Sequence, residues 1–149
     1  MIVVSVQPEP IDIAAATGAL TAGRSDIGAL VSFTGHVRAD DGLTALTIEH
    51  YPGMTTRQIT AIAREAEARW PLQAGVVIHR HGRLEPGEVI VLVAVASARR
   101  AAAFEAAAFV MDWLKTRAPF WKAEEHGDAR RWVTARASDD DAAGRWKRD

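Results

Sequence analysis

The sequence predicts an α+β fold: one domain, built as a sandwich with a mostly antiparallel sheet and three helices. Three observations carry this. Strand-like runs come in pairs between helical runs, in the order β-α-β-β-α-β-β-α-β-β. Such interleaving favours an antiparallel arrangement over a doubly wound parallel one. The 149 residues are enough to bury one core. A content of 48% hydrophobic and 25% charged residues is ordinary for a globular chain, which excludes wholesale disorder.

The elements follow in order. Ile2 to Gln7 alternates and is β-branched, so it reads as a strand, ended by Pro8 and Pro10. Ile11 to Leu20 has apolar residues at helical spacing, with Asp12 in the first turn, where its charge suits the helix dipole. Ile27 to Val37 is a second strand, and Gly28 and Gly35 suggest a bulge or a close backbone approach. The polar loop 38–42 leads to a strand over Leu43 to Tyr51, expected to pair with the previous one as a hairpin. Pro52-Gly53 is a turn. Met54 to Trp70 is an amphipathic helix with Ile59, Ile62, Ala63, Ala66 and Trp70 in one stripe, stopped by Pro71. Val76 to Leu84 reads as one strand. Val89 to Ser97 is nearly all Val, Ile, Leu and Ala, the pattern of a central strand covered on both faces. Arg99 to Arg117 is a long Ala-rich helix, with Phe104, Ala107, Ala108, Met111 and Leu114 expected to be its buried stripe. Pro119 closes it. Two short strands, 120–125 and 131–135, turn at Gly127. The expected catalytic domain is 1–137. Residues 138–149 are expected as a charged, loose tail apart from Trp146.

The bulk numbers exclude several function classes. A net charge of -1 and a pI near 6.5 argue against a dedicated nucleic-acid binder, which needs a cationic surplus. The absence of cysteine removes disulfides, thiolate nucleophiles and Cys-based metal sites, and it fits a reducing compartment. The start lacks a basic leader, and the apolar run Val89 to Ala98 is too short for a bilayer, so a soluble, cytoplasmic protein with no membrane partner is expected. No dinucleotide fingerprint, phosphate-binding P-loop, serine-hydrolase elbow or H-E-x-x-H is present. His79 and His81, two apart on a strand, share a face but lack a third ligand nearby, so no metal is expected.

The stretch that carries chemistry is Asp112 to Glu124, where Lys115, Arg117 and Lys122 lie among Trp113, Phe120 and Trp121. Lys115 sits about 20° off the line of Phe104 at 3.6 residues per turn. The bland reading is a snorkelling cation at a helix end. Lys122, however, follows across a proline-enforced reversal, so both ammonium groups can face one pocket. Paired cations and an apolar wall lower a lysine's pKa. Such a lysine can shuttle protons, attack or hold an anion. Arg38 beside a Gly-bearing loop and Arg99-Arg100 at a helix N-terminus are further anion contacts. The residues alone reach an anion-binding site with a reactive lysine.

The chain carries F-T-G-H-V-R (Phe33 to Arg38), L-T-I-E-H-Y-P-G-M-T (Leu46 to Thr55), R-W-P-L (Arg69 to Leu72), I-H-R-H-G-R-L-E-P-G-E (Ile78 to Glu88), S-A-R-R-A-A-A-F-E-A (Ser97 to Ala106) and M-D-W-L-K-T-R-A-P-F-W-K-A-E (Met111 to Glu124). Together, over residues 2 to 146, they resemble the large, catalytic subunit of molybdopterin synthase. The resemblance implies an α/β-hammerhead-like fold and a homodimer at the centre of a heterotetramer. It implies a small ubiquitin-like sulfur-carrier partner ending in a Gly-Gly thiocarboxylate, and transfer of two sulfurs to cyclic pyranopterin monophosphate (precursor Z). It implies no cofactor. By resemblance Lys115 and Lys122 are the essential lysines. His36, Val37, Arg38, Arg99, Arg100, Lys122, Ala123 and Glu124 fall on substrate-contacting segments, and Arg136 matches a further pocket arginine.

Two departures stand out. Arg99 replaces the family's frequent histidine, and a guanidinium cannot shuttle protons near neutral pH. Ala123 replaces a frequent arginine, so one cation is lost. Arg100 and Lys115 are about 22 Å apart along one helix, at 1.5 Å per residue. The arginine pair is therefore expected to reach the lysines only from the neighbouring protomer. Two rivals remain: a non-catalytic binding module for the ubiquitin-like partner, and an enzyme acting on another anion such as a nucleotide.

Overall fold

The computed structural model describes residues 1–133 and 137–147. The elements are β1 (Ile2–Gln7), α1 (Ile13–Thr21), β2 (Ala29–His36), a 3-10 turn (Asp40–Gly42), β3 (Ala45–His50), α2 (Met54–Arg69), β4 (Leu72–Arg80), β5 (Gly82–Leu84), β6 (Val89–Ser97), α3 (Arg100–Arg117), β7 (Phe120–His126), β8 (Ala129–Val133) and α4 (Ala137–Gly144). They form two four-stranded sheets, β1-β4-β6-β2 and β5-β3-β7-β8. Only β1 and β4 run parallel among the described pairs; the rest are antiparallel, as the sequence predicts.

The core sits on the first sheet. Helices α2 and α3 cover one face, burying Ile59, Ile62, Phe109, Val110 and Leu114 against Val77, Val93 and Val95. Each large side chain withdrawn from water contributes about 1.5–3 kcal/mol. Helix α1 covers the other face through Ile13, Ala16 and Leu20, against Val76, Leu92 and Ala94. Asp12 caps α1 by accepting from the Ala15 N–H at 3.0 Å. A smaller cluster of Val37, Leu43, Leu46, Ile48 and Leu84, with Ile90 and Phe120 against it, joins the two sheets.

Four expectations change. β2 and β3 do not form a hairpin: β2 pairs with β6, and β3 with β5 and β7. The two-sided apolar strand β6 needs a neighbour on each edge and takes β4 and β2. The loop 38–42 forms a 3-10 turn, with Asp41 at φ 53, in place of a tight hairpin turn. The single strand expected over Val76 to Leu84 is two, because Gly82 at φ 96 lets the chain cross from one sheet to the other. His79 and His81 therefore do not share one strand face. The buried residues of α3 are Ala103, Ala106, Ala107, Phe109, Val110 and Leu114, while Phe104 is 61% exposed. In so Ala-rich a helix little marks one side, and the shape of the sheet decides.

The C-terminal segment is the fourth change, and it brings the described α-helices to four. Helix α4 carries Asp139 and Asp140 in its first turn, which suits the dipole. Ala143 is buried. Trp146 stands edge-on to Trp70 and Phe109. The Trp146 indole N–H and the Arg145 guanidinium both donate to Asp112 at 2.6 Å. Small alanines and one tryptophan do the burying, so the segment reads as polar although it docks. The glycine expectations hold. A Cβ on Gly28 would lie 2.2 Å from the Ala98 carbonyl oxygen, and the β2 register shifts at Gly35/His36.

Candidate active site at the junction of the sheets

Helix α3 ends because Ala118 precedes Pro119 and takes an extended conformation, φ -74 and ψ 127. The buried Thr55 hydroxyl holds the reversal: it donates to the Pro119 carbonyl at 3.3 Å and accepts from the Tyr51 N–H at 3.1 Å. β7 then pairs with β3, Phe120 opposite His50, Lys122 opposite Ile48 and Glu124 opposite Leu46. Strand alternation puts Phe120, Lys122 and Glu124 on one face. Trp121 falls on the other face, edge-on to Tyr51 at 4.6 Å. Of the three aromatic residues expected to wall the lysines, only Phe120 shares the Lys122 face. Trp113 packs on α3 with the Arg117 guanidinium 5.3 Å from its ring centroid. Arg117 itself pairs with Glu65 at 2.9 Å, tying α3 to α2.

Lys115 is exposed on the last turn of α3, and Lys122 is half-buried in β7, on the other side of the reversal. Both ammonium charges disfavour the protonated form of one imidazole, His79. His79 is buried in β4, stacks on Phe120 at 3.8 Å and 18°, and bonds through Nδ1 to the Arg80 carbonyl at 2.7 Å. Burial is the main cause that holds its pKa at about 3, and the charges of Lys122, Lys115 and His50 add to it. His50 lies opposite Phe120 and packs on His81, ring centroids 4.1 Å apart. Its pKa is also lowered, by burial first and then by His81.

The other predicted residues fall into two groups. His36, Val37 and Arg38 leave β2 at the end where it meets Val89 of β6. His36 is exposed and bonds Thr34 at 3.1 Å. Val37 is buried and anchored to Glu88 and Gly87 through its backbone. Arg38 makes an exposed ion pair with Asp40 at 2.9 Å. Phe120 packs against the cluster that holds Val37 and Ile90, so this end of the first sheet meets the lysines. Arg99 and Arg100, both exposed, follow Ser97 at the opposite end of β6. The structure does not bring them to the lysines within this chain.

Ala123 is fully buried opposite Trp132. Glu124 accepts from His126 at 3.1 Å and from Arg131 at 3.3 Å. The His126 hydrogen bond is the main cause that lowers its pKa. Arg136 lies outside the described residues. No group of three metal-binding side chains occurs among the described residues, and no described helix is long and apolar enough to cross a membrane. Thr55 has no place in the sequence reading and His79 enters it only as a possible metal ligand, although both lie inside the motifs that carry the resemblance. Buried polar residues in apolar or helical patterns were the available signal.

Two antiparallel-dominated sheets with helices packed on them define an α+β protein. A family model described as MoaE protein matches residues 6–117. The molybdopterin synthase catalytic subunit of Mesorhizobium japonicum is 56% identical over 147 residues, covering 97% of this chain and 92% of that one. The solved molybdopterin biosynthesis MoaE protein of Burkholderia ambifaria superposes with a TM-score of 0.84 at 46% identity, with 98% of each chain covered. The molybdopterin synthase structure from Staphylococcus aureus gives 0.79 at 30% identity, covering 87% of this chain and 95% of that one. The chain belongs to the MoaE family, and its relatives are molybdopterin synthase catalytic subunits.

Proposed function

We propose that this chain is the sulfur-transferring subunit of a molybdopterin synthase. It takes sulfur from the thiocarboxylated C-terminus of a small ubiquitin-like carrier and delivers it to cyclic pyranopterin monophosphate, building the dithiolene. The observation that supports this is the match to molybdopterin synthase catalytic subunits over nearly the whole chain, with Lys115 and Lys122 on either side of the proline reversal. The carrier's sulfur lone pair forms a bond to an electrophilic pterin carbon as a carbon–oxygen bond at that carbon gives its electron pair to the oxygen, which takes up a proton. Water then cleaves the resulting thioester, returning the carrier as a carboxylate and leaving the thiolate on the pterin. Lys115 is assigned to the carrier's terminal carbonyl, where a cation stabilises the developing oxyanion. Lys122 is assigned to the pterin and to proton transfer, and Arg38 to the phosphate. The place of work is proposed as the cytoplasm, on the cysteine-free composition.

Arg99 and Arg100 are assigned to the phosphate of a second copy's site. β2 is an edge strand with Leu30 38% and Phe33 43% exposed, and Phe104 on α3 adds to this apolar border. A two-fold dimer through this edge runs the two β2 strands antiparallel. Each Arg99-Arg100 end then meets the other copy's His36 to Arg38 end, beside its lysines.

The test is Lys115→Ala in single-turnover sulfur transfer, with carrier binding measured separately. Transfer is expected to fall roughly 10²–10⁴-fold at saturating carrier, the range for loss of a positioned acid–base group. Lost binding with an unchanged saturated rate would make the chain a binding module. Transfer to a nucleotide in place of the pterin would point to the other rival.

A further inference from the structure

His79 has no part in the sulfur transfer as assigned, yet it is the group both lysines act on. It is 5% exposed, in the first sheet, and its ring lies flat on Phe120 of the second. The Arg80 carbonyl can only accept, so Nδ1 carries the hydrogen and Nε2 holds the lone pair. Phe120 is the first residue after the reversal. A ring stacked on it fixes where β7 begins, and with it the offset between Lys115 before the proline and Lys122 after it.

We propose that His79 is a positioning residue for the lysine pair: a buried ring that sets the proline reversal, and with it the offset between Lys115 and Lys122, through its stack on Phe120. This rests on the assignment of Lys115 and Lys122 as the reacting groups. The charged or titratable groups that act on the ring are Lys122 from β7, Lys115 from α3 and His50 from β3. Its neighbours across β1 and β6, Val6 and Val91, carry no charge. With a pKa near 3, held there chiefly by burial, the imidazole stays neutral wherever the lysines work.

The chain has three lysines, Lys115, Lys122 and Lys147, so isotope-labelled lysine gives three NMR signals in the intact protein, with Lys147 as internal reference. His79→Ala removes the ring from Phe120 and is expected to move the Lys115 and Lys122 signals while Lys147 stays in place. Single-turnover transfer is expected to fall about tenfold while carrier affinity stays within about twofold. His79→Phe, which keeps a ring on Phe120, is expected to restore the lysine signals and most of the rate. Phe120→Leu, which removes the stack and leaves the imidazole, is expected to slow transfer as His79→Ala does. Lysine signals that stay in place in His79→Ala, or a His79→Phe variant as slow as His79→Ala, overturn the proposal. If the signals move while Lys115→Ala transfers sulfur at full rate, the positioning stands and the sulfur-transfer assignment falls.

Discussion

The two ends of α3 are finished in opposite ways. At the C-terminal end, Thr55 grips Pro119, Arg117 is paired to Glu65, and Phe120 lies under His79. Each of these contacts ties the reversal to another element of the same chain. At the N-terminal end, Arg99 and Arg100 are exposed, and neither side chain bonds a described residue. Holding a long cationic side chain in place costs about 2 kcal/mol of rotamer freedom, which these arginines have not given up. The difference teaches that the chain pre-organises the reacting half of a site and leaves the charge-binding half to be fixed by what it meets.

The largest test of that contrast is complementation. Lys115→Ala and Arg100→Ala are each expected to be inactive alone. Mixed and allowed to exchange subunits, they regain about a quarter of normal transfer, because half the dimers are mixed and each then has one intact composite site. A site built from one chain gives no recovery, and the comparison between the two ends collapses.

Acid stability probes the held end next. His79 binds a proton near pH 6.5 when unfolded and only near 3 when folded. Between these values the unfolded state holds more protons, so stability rises with pH and is lost as pH falls from 6.5 toward 3. The slope from this group approaches about 1.4 kcal/mol per pH unit within the window. Denaturant midpoints of His79→Phe are expected to lose that part of the slope. An unchanged slope would mean the imidazole is not the buried neutral group it is taken to be.

Thr55→Val keeps the shape and removes both hydroxyl bonds at the reversal. It is expected to cost about 1–3 kcal/mol, from the Tyr51 N–H left without its partner, and to lower the melting temperature. Asp40→Asn is the smallest test. It releases Arg38 from an exposed pair and is expected to change stability by less than about 0.5 kcal/mol. A larger loss would make the loop 38–42 part of the held end.

What was legible in the sequence follows from range. The end of α3, the proline stop and the start of β7 are set by neighbouring residues, and the D-W-L-K-T-R-A-P-F-W-K stretch spells them out. The central, two-sided character of β6 was equally plain from its composition. Strand partners were not, because the hairpin expected between β2 and β3 depends on which edges remain open elsewhere in the sheet. His79 and His81 look alike in sequence, but β4 ends at Arg80 between them and the chain crosses to the other sheet at Gly82. Phe104 looked buried because an Ala-rich helix offers no contrast. Arg99 and Arg100 were placed correctly as remote from Lys115, since helix rise alone decides it.

The pairing of Lys122 with Ile48 has a consequence in time. The lysines are near neighbours along the chain, yet β7 must close onto β3 across α2, the first sheet and α3. Such non-local closure comes late and slowly, because loop entropy is spent before contacts reward it. A nascent chain halted before that closure holds a finished helix without its partner strand. On the proposed assignment, competence is therefore a report on complete folding, and a carrier bearing a thiocarboxylate meets both lysines only on a mature subunit.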